Sequence, residues 1–281
     1  MILDILKSII YGIVEGITEW LPISSTGHLI LLEDIIPFKS VQNSAAFSEM
    51  YDVVIQLGAI IAVLLLFFKK LWPFQNKPNL QGADRYINFK SVNLWLKVLV
   101  ASLPSAIIGL PLDDFLDKHL YNKTTVSITL VLYGILFILV ERYNESRKPK
   151  INKTSEITFA TAALIGCFQM LALIPGTSRS GATILGAILI GLSRPAAAEF
   201  SFFLAIPTMV GASLLKIVKF LSENSFSGSE LGILLVGMLV SFAVSVLAIR
   251  GLMAYVKKKD FSFFGYYRIA LGAIVLAFVI L

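Results

Sequence analysis

The sequence predicts an all-α polytopic membrane protein with six transmembrane helices and two re-entrant helical hairpins, and three observations carry that prediction. Hydrophobic residues make up 57% of the 281 and charged ones 15%, with a mean hydropathy of +0.81; a soluble domain of this size could not hide so much apolar surface. A crossing consumes roughly 20 apolar residues, and runs of that kind nearly fill the chain. Two of the runs are interrupted by short breaks, PISSTGH at 22–28 and PGTSRSG at 175–181. Non-helical backbone at membrane depth is tolerated only where protein or a wet cavity surrounds it, so each break reads as the tip of a hairpin.

Taken in order, the first hairpin comprises an apolar run to Leu21, the break, and a short apolar run to Pro37. A crossing at about 53–71 follows. The stretch 69–90 carries Lys69, Lys70, Lys77, Arg85 and Lys90 and is cytoplasmic by the positive-inside rule. A crossing at 93–112 leads to 113–125, where Lys118 and Lys123 stand beside Asp113, Asp114 and Asp117, an outside loop. The crossing at 126–140 returns to a basic loop at 141–157, with Arg142, Arg147, Lys148, Lys150 and Lys153. An odd number of crossings must join it to the outside loop at 222–230, which has Glu223 and Glu230 and no Lys or Arg. Three full crossings satisfy this and so does one, and the break at 175–181 favours one, at 199–221, preceded by a second hairpin, 158–192, that enters and leaves on the cytoplasmic side. Lys216 and Lys219, just before that loop, run against the assignment. Crossings at 231–255 and 265–281 complete the chain around a basic segment with Arg250, Lys257, Lys258 and Lys259.

The two hairpins therefore open to opposite sides. A shift of 154 places Gly12 on Gly166, Glu15 on Gln169, Ser24 on Ser178, Thr26 on Ser180 and Gly27 on Gly181; a shift of 150 places Ala46 on Ala196 and Glu49 on Glu199. The chain reads as one membrane domain, 1–281, built from inverted repeats at about 1–140 and 158–281, a plan that puts sites near the midplane between broken helices. The lone Cys167 lies in an apolar run, which excludes an internal disulfide and a Cys-based metal site. The net charge of +6 sits in short loops, where it sets orientation; no nucleic-acid partner is expected. With Glu15 and Glu19 in the first apolar stretch and no small-residue cleavage pattern, the N-terminus reads as mature structure.

Glu15 and Glu19 are four apart and share a helix face. Each charge at membrane depth costs roughly 2.5–3.5 kcal/mol, so the pair needs a cation or a wet cavity. A polar face near a helix end is the plainer alternative. Two carboxylates suit a hard divalent cation, Mg2+ or Ca2+, completed by substrate phosphates and waters; zinc suits them less, since only His28 is near. Ser24, Ser25, Thr26, Gly27 and His28 place hydroxyls and amides at a helix start, an anion cradle beside a group that titrates near neutral pH. A cap alone would explain one hydroxyl. Thr177, Ser178, Arg179 and Ser180 surround two glycines, and the planar fork of Arg179 suits phosphate oxygens or, structurally, a carboxylate. If the hairpins meet, Arg179 approaches Glu15, Glu19 and His28 in a phosphate or pyrophosphate site with a metal. Arg268 is read as an interface anchor or a second phosphate contact. Glu199 and Gln56 are expected to bond helix ends, and His119 to be solvated.

At these residues the sequence resembles the undecaprenyl-pyrophosphate phosphatase family of the BacA type, through EGITEWLPISSTGHL at 15–29, PGTSRSG at 175–181, AAAEFSFFLAIP at 196–207 and YYRIALG at 266–272. The resemblance implies an integral hydrolase of the bacterial inner membrane that removes the terminal phosphate of the polyprenyl pyrophosphate carrier of envelope synthesis, using a divalent metal and an outward-facing site. The family's acidic motif falls on Glu15 and Glu19, its hydroxyl and histidine motif on Ser24, Ser25, Thr26 and His28, and its arginine motif on Ser178 and Arg179. The residues themselves are read as Glu15 and Glu19 binding the metal, Ser24, Thr26, Thr177, Ser178, Ser180 and Arg268 contacting substrate, and Ser25, His28, Glu19 and Arg179 carrying catalysis. A serine needs an adjacent base, so Ser25 is expected to attack with His28 as base, His28 being the other candidate nucleophile. The rival reading is a polyprenyl-phosphate flippase or transporter, since broken helices in inverted repeats are also a transporter plan. The expected partners are the lipid substrate and the bilayer, with a homodimer left open.

Overall fold

A computed structural model describes residues 2–38 and 44–280. Twelve α-helices occur in the described residues: α1 (Ile2–Thr18), α2 (Ser25–Ile35), α3 (Ser44–Val54), α4 (Gln56–Leu66), α5 (Phe68–Leu71), α6 (Phe89–Leu120), α7 (Lys123–Asn144), α8 (Phe159–Gln169), α9 (Arg179–Ile190), α10 (Arg194–Glu223), α11 (Gly228–Tyr255) and α12 (Ser262–Ile280). The only β pairings there are two isolated bridges, Phe74 with Ile87 and Ile151 with Leu192. Five stretches are long and apolar enough to cross a membrane: Ala45–Leu66, Phe89–Leu112, Lys123–Asn144, Arg194–Glu223 and Gly228–Tyr255. Leu103, Ile107, Leu239 and Leu247 stand more than half exposed on α6 and α11, as lipid-facing side chains do.

Local chemistry sets the helix starts. The Asn122 side chain caps α7, that of Thr158 caps α8, and Ser227 with Glu230 forms a reciprocal capping box on α11. Gly191 ends α9 at φ 112°, a left-handed conformation that favours glycine. Glycine also lets helices approach backbone to backbone. A Cβ on Gly134 of α7 would come within 2.7 Å of the Gly265 oxygen of α12, and one on Gly265 equally close to the Gly134 oxygen. Likewise Gly12 seats α1 against Gly237 of α11, and Gly166 seats α8 against Ala101 of α6. Helix α9 is the innermost element, with every residue from Ser180 to Ile188 buried.

The expected boundaries need three corrections. The first long apolar stretch begins at 45, not 53, and bends at Ile55 between α3 and α4. Within that stretch Glu49 pairs with Lys216 and Asp52 is buried within the fold. Residues 113–120, expected as loop, continue α6, leaving Tyr121 and Asn122 as the turn. Glu199 bonds no helix end; it accepts from Lys70 Nζ and Thr154 Oγ1, each at 2.8 Å, tying α10 to α5 and to the turn at 154–156. Gln56 does stand at the start of α4, and His119 is exposed in the last turn of α6, stacked on Phe115. Lys216 and Lys219, which counted against an outer location for 222–230, are each paired with a carboxylate, Glu49 and Asp114.

Candidate active site

Both helix breaks turn on a strained serine. Ser24 and Ser178 are the two non-glycine residues with positive φ among those described, both at 71°. In each the hydroxyl accepts the amide three residues on, Gly27 N at 3.3 Å and Gly181 N at 3.1 Å, so the cap offsets a conformation costing roughly 1–2 kcal/mol. The serines launch α2 and α9, delivering Ser25 and Arg179 as first helical residues.

Glu19 lies where the breaks meet. Its Oε2 accepts from Ser25 Oγ at 2.8 Å and its Oε1 from Arg179 Nη2 at 2.8 Å. The ion pair is largely shielded, with the Arg179 side chain 13% and the Glu19 side chain 7% exposed. Arg179 also donates from Nη1 to the Ser201 carbonyl at 2.7 Å and lies over the Trp20 ring. Ser180 Oγ donates to the Glu19 carbonyl at 3.1 Å and approaches Ser178 Oγ at 3.2 Å. A hydroxyl, a carboxylate and a guanidinium therefore form one chain across residues 160 apart in sequence.

Glu15, one turn before Glu19, is wholly buried, and neither of its carboxylate oxygens has a hydrogen-bond partner. Two buried acceptors left without donors are costly unless a proton or a cation meets them. Among the described residues no three His, Cys, Asp or Glu side chains gather into a ready metal cage.

His28 is not where the sequence reading put it. Its Nδ1 bonds the Ser24 carbonyl at 2.8 Å, and because a carbonyl only accepts, Nδ1 carries the proton. Its Nε2 then accepts from Tyr267 Oη at 2.8 Å, with the rings stacked. Both nitrogens are engaged, and the group on the Ser25 hydroxyl is Glu19. The helical i−4 geometry fixes Nδ1, which is the reason the imidazole turns away from its neighbour.

Arg268 is too buried to be an interface anchor, the first of its two expected roles. Fully buried, it donates from Nη1 to Pro22 O at 3.2 Å and from Nη2 to Gly176 O at 2.8 Å and Thr177 O at 3.0 Å. It cross-links the two breaks through their orphan carbonyls. Thr177 is buried at this junction, and Thr26 is half-buried in the first turn of α2. Sequence reasoning passed over Tyr267, Ser201 and Trp20; they sit inside YYRIALG, AAAEFSFFLAIP and EGITEWLPISSTGHL, where adjacency to the motif residues was the available signal.

The family described as bacitracin resistance protein BacA matches residues 8–274. Proteins named undecaprenyl-diphosphatase are similar along nearly their whole length. That of Acetivibrio thermocellus is 57% identical over 276 residues, 98% of each chain. One from Enterococcus faecalis is 56% identical over 274 residues, 97% of this chain and 96% of the other. One from Lactiplantibacillus plantarum is 54% identical over 278 residues, 98% of each chain.

Proposed function

The chain belongs to the BacA family, and from that premise we propose how its two breaks act as one undecaprenyl-diphosphatase site. The protein is a multi-pass membrane hydrolase that converts undecaprenyl pyrophosphate to the monophosphate and phosphate, recycling the lipid carrier of bacterial cell-wall synthesis. The comparisons lend nothing to the flippase alternative.

The observation that carries the mechanism is the Ser25–Glu19–Arg179 chain. Ser25 Oγ attacks the terminal phosphorus, and its proton passes to Glu19 Oε2, 2.8 Å away. The bridging P–O bond breaks, the monophosphate leaves with the proton from Glu19, and a phosphoserine remains. Glu19 then deprotonates the water that attacks phosphorus, the Ser25 Oγ–P bond breaks, and the proton passes from Glu19 to Ser25 Oγ as phosphate departs, which restores both groups. Arg179, joined by the hydroxyls of Ser178 and Ser180, the amides at the start of α2 and the hydroxyls of Ser24, Thr26 and Thr177, stabilises charge developing on the transferred group. His28, its Nδ1 proton held on Ser24 O, has Nε2 as an acceptor; once Tyr267 yields, Nε2 takes up a proton and, as the imidazolium, donates to a phosphate oxygen.

A divalent cation, Mg2+ or Ca2+, fits the residues present, because Glu15, one turn from the Glu19 carboxylate, offers two buried oxygens that lack donors. Glu15 and Glu19 would hold it together with substrate oxygens, and it would supply Lewis-acid charge on the pyrophosphate.

The proposed topology is six crossings, α12 being the sixth, with α1–α2 and α8–α9 as re-entrant hairpins of an inverted repeat. Supporting it, α2, α8 and α9 have 11, 11 and 12 residues, about 17–18 Å of helix against the ~30 Å hydrocarbon core. The site then opens to the outer face of the inner membrane. The decisive experiment is phosphate release from undecaprenyl pyrophosphate by purified protein, with and without chelator, alongside radiolabel transfer to Ser25. Activity that survives exhaustive chelation sinks the metal; the absence of a quenched phosphoenzyme in a variant with slowed water attack sinks the serine route.

A further inference from the structure

Away from the active site, charged side chains with no assigned role gather at two cavities, one beyond each hairpin. The cavity beyond α2 mixes signs: its three lysines face Glu33, Glu49, Asp52 and Asp114, and two of them pair internally, Lys216 with Glu49 and Lys219 with Asp114, both at 2.8 Å. The cavity beyond α9 does not balance itself. It holds about 540 Å³ where the end of α9, the start of α10, the segment after α7 and the end of α11 meet. Arg147, Lys148, Lys150 and Lys257 line it, and no Asp or Glu does. Arg194, also there, is neutralised by Glu141, whereas none of the other four cations forms an ion pair among the described residues. Arg147 is held over the Tyr143 ring, 4.0 Å from its centroid. The rest of the lining includes Asn144 and Ser193 and an apolar side formed by Leu189 and Ile190 from the last turn of α9.

We infer that this cavity seats the phosphate headgroup of an anionic lipid from the leaflet these loops border. Four like charges converging on one concavity repel one another until an anion neutralises them, and a phosphate oxygen set suits both the Arg fork and the Lys ammonium groups. Free phosphate would satisfy the charges but leave Leu189 and Ile190 facing water, whereas a lipid brings glycerol and acyl carbons to that wall. The volume is ample for a phosphodiester headgroup, and basic pockets between membrane helices are recognised headgroup sites. Under the proposed topology the leaflet is cytoplasmic. The inference does not depend on the hydrolase reading.

The test is native mass spectrometry of the detergent-purified full chain titrated with phosphatidylglycerol or phosphatidylcholine, with inorganic phosphate as competitor. The comparison set is Lys148→Gln, Lys150→Gln, Lys257→Gln and the triple variant. The expected result is tight retention of phosphatidylglycerol over phosphatidylcholine, weakened about fivefold for each charge removed and unmoved by equimolar phosphate. The single variants keep the test readable if the triple variant does not fold. Undiminished retention by the variants, or equal retention of phosphatidylcholine, overturns the site, and full displacement by equimolar phosphate reassigns it to a soluble anion and overturns the lipid.

Discussion

At Ser24 and at Ser178 the backbone takes the same φ of 71°, and in both the hydroxyl caps the amide three residues later, but the residues on either side of each cap diverge. The first break carries Glu15 and Glu19 before its serine and Ser25 and His28 after it. The second, at a shift of 154, carries Gln169 and Leu173 before, and Arg179 and Ala182 after. Where Glu15 is buried with two partnerless oxygens, Gln169 is a neutral amide whose Nε2 donates to Ser105 Oγ at 2.7 Å. One break supplies the hydroxyl and the carboxylates; the other supplies the cation that faces them. A matched backbone thus places complementary chemistry on the two sides of one point, which neither break could assemble alone.

Several variants would break or sharpen that division. The largest effect is expected from Ser25→Ala, at least about a 10⁴-fold loss of phosphate release, because the covalent route disappears. Glu19→Gln should follow at about 10³-fold, within what a positioned base contributes. If Glu19→Gln is nearly normal while His28→Ala is dead, the base is His28 after all and the Ser25–Glu19 bond is a resting contact. On the present geometry His28→Ala keeps all but about tenfold of the rate, and Tyr267→Phe loses less than that.

From the second break, Arg179→Lys should cost about 10²-fold, since an ammonium cannot span Glu19 and a phosphate as a fork does. A larger loss for Arg179→Lys than for Glu19→Gln would make the second break the dominant contributor.

Arg268→Met tests the cross-link rather than the chemistry. Leaving the Pro22, Gly176 and Thr177 carbonyls without a donor should destabilise the fold by about 2–3 kcal/mol. That would be read as a lowered thermal midpoint in detergent, with activity falling in proportion to the folded fraction. An unchanged midpoint with lost activity would make Arg268 a substrate contact instead.

The smallest effects bear on the equivalence itself. Ser24→Ala and Ser178→Ala should each destabilise by about 1 kcal/mol through loss of the cap, while Ser24→Gly and Ser178→Gly stay within a few tenths because glycine accepts the positive φ. Unequal costs in the two halves would show that the shared φ hides different surroundings.

Much of this was legible before any coordinates. The breaks announce themselves because proline, glycine and hydroxyl side chains interrupt apolar runs, and hydropathy places the long helices to within a few residues except where a charge has a distant partner. The first crossing is expected from 53, but Glu49, paired with Lys216, and the enclosed Asp52 lie within a helical stretch that begins at 45. Asp114 misled in the same way, its pairing with Lys219 letting α6 run on to Leu120. The catalytic residue types were legible too, but their pairing was not. Proximity in sequence made His28 the natural base for Ser25, and helical geometry turned it toward Ser24 O and Tyr267 instead.

The sequence by itself determined the membrane class, the two breaks and the residue types at the site, because hydropathy and backbone propensity act over a few neighbouring residues. Only the tertiary structure decided that Glu19 takes both Ser25 and an arginine 160 positions away, that Glu15 keeps its oxygens unpartnered, and that Arg268 stitches the breaks together. Those outcomes depend on which buried polar groups meet when distant helices pack, and a buried charge or carbonyl is satisfied by whatever the fold brings within about 3 Å, not by what lies beside it in the chain.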